Sequence, residues 1–162
     1  MSNLAFFRQC YEHECARHQS VVAAAIPDQL DWRPEPRSRS ARELIGHLIG
    51  HDQDMIELID AGVIHHRMQV PFTTLDDAVS ILTRSQTEAC EKLGAFPEER
   101  WDRVAEFRVG DRVIWSAPTS GLMWTLLFDS IHHRGQLSTY LRPMGGKVPA
   151  IYGPSADTAM GA

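Results

Sequence analysis

Apolar residues recur along this chain at intervals that predict four amphipathic helices. The first helix has apolar or weakly polar positions at steps of three, four or seven residues, at Leu4, Phe7, Tyr11, His18, Val22 and Ala25. Such steps return to one face of an α-helix, so they predict a helix from about residue 3 to residue 25. Ile26 and Pro27 end it, because proline cannot continue a helix.

The second predicted helix has both a start signal and a stop signal. Ser40 and Glu43 have the spacing of a capping box, in which each side chain bonds the other residue's backbone N–H. Gly62, after Ala61, supplies the stop, since glycine readily adopts the left-handed conformation that ends many helices. The inner stripe comprises Leu44, His47, His51, Met55 and Leu58. Two histidines therefore share a face with core residues.

The third helix is predicted to begin at Thr73 or Thr74. Either hydroxyl can cap the first backbone amides, and Asp76 and Asp77 suit the positive end of the helix dipole. Its apolar seam comprises Leu75, Ala78, Leu82, Ala89 and Leu93. This spacing again predicts one buried face.

The helical periodicity is lost between residues 94 and 118. Residues 104–109 and 112–115 favour strands and flank the turn pair Gly110-Asp111, which predicts a short hairpin. The segment is a long connection that crosses from the third helix to the fourth.

A fourth helix is predicted to begin at a cap formed by Ser116, Thr119 or Ser120 and to run to about Leu141. Pro143 then forbids continuation, and the chain from about residue 142 is expected to be an extended tail. The fold expected for residues 1–162 is therefore a single all-α domain, a four-helix bundle with a long crossing connection between helices 3 and 4.

Composition excludes two classes of partner. Of the 162 residues, 43% are hydrophobic and 23% are charged, as in an ordinary globular domain. The formal net charge is −5, and no basic stretch can displace counterions from a phosphate backbone, so no nucleic-acid partner is expected. No apolar run is long enough to span a membrane, and the amino end lacks a signal-peptide pattern. With three cysteines and no CxxC pair, a cytoplasmic location is expected.

Two predicted helices each carry a pair of potential metal ligands four residues apart. Asp129 and His133 lie about 40° apart around the axis of the fourth helix, so a carboxylate and an imidazole project from one face. His47 and His51 repeat the interval on the second helix. Imidazoles and carboxylates are typical ligands of divalent cations. We therefore predict a metal ion between the two helices, held by His47, Asp129 and His133.

Neighbouring residues leave alternatives to this ligand set. His51 or His132 can substitute for a ligand or hydrogen-bond to one, and Gln136 can orient a ligand or bound water or make an ordinary contact between helices. Without a metal, Asp129 would need compensation from Arg134 or from a hydrogen bond to another helix.

Other polar residues are interpreted conservatively. His13, His18, His65 and His66 are expected to be surface, seam or loop residues, and Asp54 to be solvated or hydrogen-bonded. Tyr140, near the end of the last helix, is a weaker candidate for the mouth of a substrate site. The chain has no HExxH, no Glu-x-x-His pair, no GxSxG and no glycine-rich phosphate loop.

Two segments resemble those of the DinB-like superfamily. They are Ser40-Ala-Arg-Glu-Leu-Ile-Gly-His47 and Asp129-Ser-Ile-His-His-Arg-Gly-Gln-Leu137. This group of damage-inducible four-helix bundle proteins includes thiol-dependent S-transferases and a mycothiol-dependent maleylpyruvate isomerase.

The resemblance implies a divalent metal, often zinc or nickel, held by three histidines whose positions fall on His47, Asp129 and His133. The chain departs from the family pattern at Asp129, where a histidine is usual. Since a carboxylate is a harder ligand than imidazole, it shifts the expected preference from zinc towards iron, manganese or nickel.

The resemblance also implies a homodimer and a small-molecule substrate. The first functional hypothesis is a metal-dependent enzyme that activates a low-molecular-weight thiol for attack on a small electrophile, in the manner of a thiol S-transferase, with activation of water for hydrolysis second. The alternatives are a non-catalytic stress-response protein that binds a metal or small ligand, and a polar cluster that fixes helix register without a metal.

Overall fold

Four long helices and a small sheet make up the described part of the chain, residues 2–158 of a computed structural model. The helices are α1 (Asn3–Ala23), α2 (Ala41–Ala61), α3 (Leu75–Ala95) and α4 (Thr119–Tyr140). The strands are β1 (Val63–His65), β2 (Val104–Val109) and β3 (Arg112–Pro118). The protein is therefore mostly helical, and the prediction of an all-α fold is confirmed only in part, because a small sheet is also present. Each of α1 and α2 packs against both α3 and α4.

The start and the stop predicted for α2 are confirmed. The Glu43 N–H donates to the Ser40 hydroxyl over 3.2 Å, and the Ser40 N–H donates to the Glu43 carboxylate over 2.7 Å. At the other end Gly62 has φ 70°, the left-handed conformation that glycine adopts without strain. Thr74 caps α3 by accepting from the Asp77 N–H over 3.1 Å. These signals are local in sequence, which is why they predict helix ends well.

Two predicted helix ends are wrong. The first helix ends at Ala23 and not near residue 25, because the next residues tighten into a turn in which the Ala25 N–H bonds the Val22 carbonyl. No side chain caps α4. Its first amides, on Thr119 and Ser120, donate instead to carbonyls of residues 103 and 101, over 2.8 and 2.9 Å. Backbone carbonyls of the preceding connection thus take the place of a side-chain cap.

The predicted hairpin is present, and a third strand joins it. Strands β2 and β3 are antiparallel, with Gly110 at φ 57° in the turn, and β1 adds to β2 in parallel in the order β1-β2-β3. Because β1 has only three residues, no periodicity in the sequence predicts it. It holds the chain after α2 against the hairpin, where the His66 N–H donates to the Arg108 carbonyl over 2.8 Å.

The hydrophobic core is divided into two clusters by a polar layer. The cluster with Phe7, Leu58 and Leu126 and the cluster with Val21, Ile45 and Leu137 both draw on all four helices. The buried polar residues of the layer are Glu14, His18, His47, His51, Asp52, Asp54, Ser85, Gln86, Ser130 and Arg134. Burial of polar groups costs free energy unless they find partners, so this layer is where a binding site is to be sought.

The predicted tail packs against the helices as far as residue 158. The Arg17 guanidinium donates to the Ile151 carbonyl over 3.0 Å, and Arg142 pairs with Asp157 over 2.9 Å. The sequence also predicts that the last few residues are loose, and these lie outside the described residues. Over residues 2–158, none of the helices has the length and apolar character needed to cross a membrane.

Candidate metal centre

Helices α2 and α4 bring three imidazoles around one carboxylate. The Oδ2 atom of Asp129 lies 3.8 Å from Nε2 of His47, 3.3 Å from Nε2 of His51 and 3.4 Å from Nε2 of His133. Ligand atoms of His47, Asp129 and His133 all lie within 4.8 Å of one another. The two remote ligand pairs of the sequence therefore do meet. This cluster of His and Asp side chains can hold a metal ion.

Hydrogen bonds on the outer side of the rings set which nitrogen faces the centre. Nδ1 of His47 donates to the Met68 carbonyl over 2.8 Å, and Nδ1 of His133 donates to Oε1 of Gln136 over 2.7 Å. Because both partners are acceptors, each neutral ring carries its proton on Nδ1 and its lone pair on Nε2. Metal-bound histidines are typically held in this way.

The pKa values of two members of the cluster, His51 and Asp129, are shifted by their surroundings. Burial, followed by the neighbouring His47, lowers the pKa of His51 from 6.5 to about 3. The neighbouring imidazoles, His133 and His47 first, hold the pKa of Asp129 far below its usual range. Near neutral pH the His51 ring is therefore uncharged and the Asp129 carboxyl is ionised. Asp129 then offers lone pairs to the centre, and His51 does so in the tautomer whose Nδ1 donates to the Ser130 hydroxyl.

Asp129 is neither buried nor paired with Arg134, the first of the two metal-free partners considered for it. Its side chain is 45% exposed and not buried in the core, because it lies at the edge of the polar layer. It does not pair with Arg134, whose guanidinium is buried and bonds the Glu14 carboxylate and the Tyr152 hydroxyl instead. The only partners of Asp129 among residues 2–158 are thus the histidine rings.

His66 joins the cluster and was missed in the sequence, where it was assigned to a loop. Its ring centroid lies 5.5 Å from that of His47 and 5.8 Å from that of His51. Ligand nitrogens of these three histidines form a second group within 4.8 Å. Nδ1 of His66 donates to Asp54 over 2.7 Å. The signal in the sequence was Asp54, which lies at nearly the same angle around α2 as His47 and is the hydrogen-bond partner of His66.

The carboxylate of Asp54 is fully buried and needs compensation. The Arg67 guanidinium donates to its Oδ1 over 2.8 Å, and the Arg67 backbone N–H lies 3.3 Å from the same atom. A paired and hydrogen-bonded carboxylate is tolerated in a protein interior. Asp54 therefore acts as an anchor for the loop that carries His66.

The remaining candidates lie farther from the centre or touch it indirectly. Gln136 bonds the His133 ring, and Ser130 lies 3.0 Å from Nδ1 of His51. His132 is exposed, with its ring 5.0 Å from that of its neighbour His133. Tyr140 packs edge-on against Trp32 and does not line the space beside the cluster.

A cavity of about 270 Å³ opens directly beside the cluster. His51, His66 and Asp129 form its polar wall, and the sheet and α4 supply the rest. Any ion held by the cluster would therefore be reached from this space.

The donor set fits a divalent cation. Lone pairs on the ring nitrogens and a carboxylate oxygen repel one another unless a cation, either protons or a metal ion, lies between them. Two imidazoles and one carboxylate form a competent set for a divalent ion. Three protein ligands also leave coordination positions open, which is typical of catalytic and not of structural sites.

The chain resembles proteins of one family over nearly its whole length. The sequence model described as the DinB family matches residues 1–160. A DinB-like protein from Bacillus subtilis is 19% identical, with a TM-score of 0.70 over 95% of this chain and 99% of that chain. A DinB-like protein from Bacillus cereus is 20% identical, with a TM-score of 0.72 over 90% of this chain and 95% of that chain. The comparison with curated proteins gives no match. The chain therefore belongs to the DinB family.

Proposed function

We propose that this protein is a divalent-metal-dependent enzyme that activates a thiol or a water molecule for attack on a small electrophile. His47, Asp129 and His133 hold the ion, and His51 and His66 stand beside it. The observation that supports this most is that the Nε2 atoms of three histidines lie 3.3–3.8 Å from one carboxylate oxygen. A bound divalent ion lowers the pKa of a thiol or water in its open position, which generates a nucleophile near neutral pH.

The chain's own residues supply the rest of the chemistry. Outer hydrogen bonds from Met68 and Gln136 keep the ring lone pairs aimed at the centre. Because Asp129 is half exposed and lines the cavity, the open side of the cluster is accessible to a nucleophile and an electrophile together. Transfer of a low-molecular-weight thiol is the first reaction to test, and hydrolysis is the second.

The expected metal preference depends on Asp129, the ligand that departs from the family pattern. Asp129 supplies a hard oxygen where a third imidazole is usual. This oxygen favours iron, manganese or nickel over zinc relative to a three-histidine site. Restoring the imidazole with Asp129→His should move the preference back towards zinc.

The deciding experiment for catalysis is a turnover assay. Tag-free protein, loaded separately with Zn²⁺, Ni²⁺, Mn²⁺ or Fe²⁺, is incubated with low-molecular-weight thiols and a panel of small electrophiles. We expect metal-dependent consumption of thiol and electrophile together, abolished by Asp129→Asn and retained by His132→Asn. Consumption of electrophile without thiol would identify a hydrolase. Metal binding without turnover across the panel would favour a non-catalytic binding protein.

Assembly and location are part of the same proposal. A homodimer is implied by family resemblance, and the odd number of cysteines and the lack of a CxxC pair favour the cytoplasm. Light scattering of the purified protein measures the mass directly. A mass of 18.2 kDa, that of one chain, would contradict the dimer.

A further inference from the structure

The cavity beside the metal cluster has a flat aromatic wall. Phe107 and Trp115 face each other across strands β2 and β3, and their rings stack with centroids 4.5 Å apart and planes within 4°. The Phe107 ring in turn lies 5.0 Å from the ring of His66. Three rings therefore run in a row from the hairpin to the cluster.

This wall remains available for contact. Trp115 is 40% exposed although it lines the cavity and already has one aromatic neighbour. Tryptophan contributes a large apolar surface, and a partly exposed ring facing a cavity can stack on a planar group. Leu126 of α4 lines the same cavity and adds a further apolar contact.

Two polar groups beside the aromatic wall already have hydrogen-bond partners. The Thr125 hydroxyl donates to the Gly121 carbonyl within α4 over 2.9 Å, and Nδ1 of His66 donates to Asp54. Among the described residues that line the cavity, none is Lys or Arg, and the carboxylate of Asp129 is an anion. In the metal-free protein, an anionic group stacked on this wall would find no cationic side chain and would be repelled by Asp129.

The size of the cavity limits the group that stacks on Trp115. Pockets for drug-sized ligands range upward from about 300 Å³. At about 270 Å³, this cavity suits a compact group of roughly one ring, and the rest of a larger ligand would lie in the adjoining open space beside Thr125 and Asp129.

We infer that this cavity binds the electrophilic substrate, and that the substrate carries an uncharged, planar apolar group, such as an aromatic ring, that stacks on Trp115. The inference rests on the proposed function, since it places this group beside the ion held by His47, Asp129 and His133. The reactive atom then lies at the rim of the group, on the side of Asp129.

Two fluorinated probes of similar shape and different charge test the inference. Metal-stripped, tag-free protein is titrated with 4-fluorobenzyl alcohol or 4-fluorobenzenesulfonate and followed by ¹⁹F NMR of the probe. We expect saturable binding of the alcohol and at least about tenfold weaker binding of the sulfonate. Equal or tighter binding of the sulfonate would overturn the assignment of an uncharged ligand.

Three variants locate the probe. Trp115→Ala removes the wall and Thr125→Met fills the space, and each should weaken binding of the alcohol by at least about tenfold. Phe6→Ala is the control, because Phe6 is 52% exposed on α1 and lines neither the cavity nor the space that adjoins it. It should change the affinity less than about twofold. Circular dichroism checks folding, and Thr125→Met keeps the test decisive if Trp115→Ala unfolds.

The position of the bound probe relative to the metal is a separate test. With Mn²⁺ in place of Zn²⁺, the ¹⁹F line of the bound alcohol should broaden strongly in the wild-type protein, because the cavity and the cluster share Asp129. Metal-loaded protein that fails to bind the alcohol, or binds it without broadening, would overturn the inference and leave the proposed metal site intact. Protein that binds the alcohol through Trp115 but takes up no metal would overturn the proposed function instead.

Discussion

The histidines of the cluster are held by oxygen acceptors behind their rings. Met68, Asp54 and Gln136 accept from Nδ1 of His47, His66 and His133. The four-residue spacings are local features of the sequence. They showed that α2 and α4 each carry a pair of potential ligands on one face, and this led to the prediction that the two helices meet around an ion. His66 could not be predicted in the same way. It reaches the site through the pairing of β1 with β2, a contact across some forty residues of chain that leaves no periodic trace.

Gln136 is expected to tune metal affinity through His133. Gln136→Leu removes the acceptor of the Nδ1 proton, so the ring is no longer fixed with its lone pair inward, and affinity for Zn²⁺ should fall by about tenfold or more. Gln136→Glu keeps an acceptor and should bind at least as tightly as the wild type. Competition with a chromophoric chelator measures both. Equal affinity of the leucine and glutamate variants would show that this hydrogen bond does not orient a ligand.

His18 should make the protein sensitive to acid. Burial, followed by the nearby charge of Arg134, lowers the pKa of His18 from 6.5 to about 3. Between these values the unfolded chain binds a proton that the native protein does not, so stability falls as pH decreases, by up to about 1.4 kcal/mol per pH unit. The loss begins near pH 6.5 and is complete only below about pH 3.

The measurement is urea unfolding of metal-free protein at several pH values. His18→Gln should show a shallower loss of stability with acid than the wild type. His13→Gln is the matched control, because His13 is exposed on the same helix, and its slope should equal that of the wild type. Parallel curves for His18→Gln and the wild type would refute the assignment.

Helix α2 is shaped to let the loop of residues 66–70 pass close to it. A Cβ at Gly46 would lie 2.6 Å from the Val70 carbonyl oxygen, and one at Gly50 would lie 2.7 Å from the Arg67 carbonyl oxygen. Both distances are shorter than van der Waals contact, so only glycine fits. The loop in turn supplies the Met68 carbonyl to the site.

Gly50→Ala should therefore disturb both the fold and the site. The loop must move away from α2, so we expect the free energy of unfolding to fall by about 1–3 kcal/mol and the affinity for Zn²⁺ to weaken. Gly94→Ala is the control, since a Cβ there meets nothing within 4 Å and alanine favours a helix by about 0.5–1 kcal/mol. Urea unfolding and chelator competition measure the two effects. A stabilised Gly50→Ala with unchanged affinity would contradict the role given to the loop.

The elements themselves were predictable to the extent that their signals were local. The capping box at Ser40 specifies the start of α2, and the Gly110-Asp111 turn specifies the hairpin. Each signal is formed by residues within four positions of the element it specifies. The start of α4 was not predictable, because carbonyls of Trp101 and Arg103 satisfy its amides through tertiary contacts. The strand β1 is stable only as a neighbour of β2, which no property of three residues reveals.

On the scale of the whole molecule, one polar layer separates two apolar clusters, and the metal cluster lies in that layer. Part of the layer is satisfied internally, as in the hydrogen bond of 2.6 Å from the Tyr11 hydroxyl to Asp52. The lone pairs of His47, His51 and His133 converge instead on Asp129. A cation at this point would join α2 to α4, so binding it should also stabilise the fold by an amount that grows with the logarithm of its concentration over its Kd.

The most direct test of the central claim is calorimetric titration of metal-stripped, tag-free protein with Zn²⁺ and Mn²⁺. We predict saturation near one ion per chain for the wild type, a loss of at least about a hundredfold in affinity for Asp129→Asn, and wild-type affinity for the exposed neighbour variant His132→Asn. Uptake below about a tenth of an equivalent by the wild type, or equal affinity of the wild type and Asp129→Asn, would contradict the account.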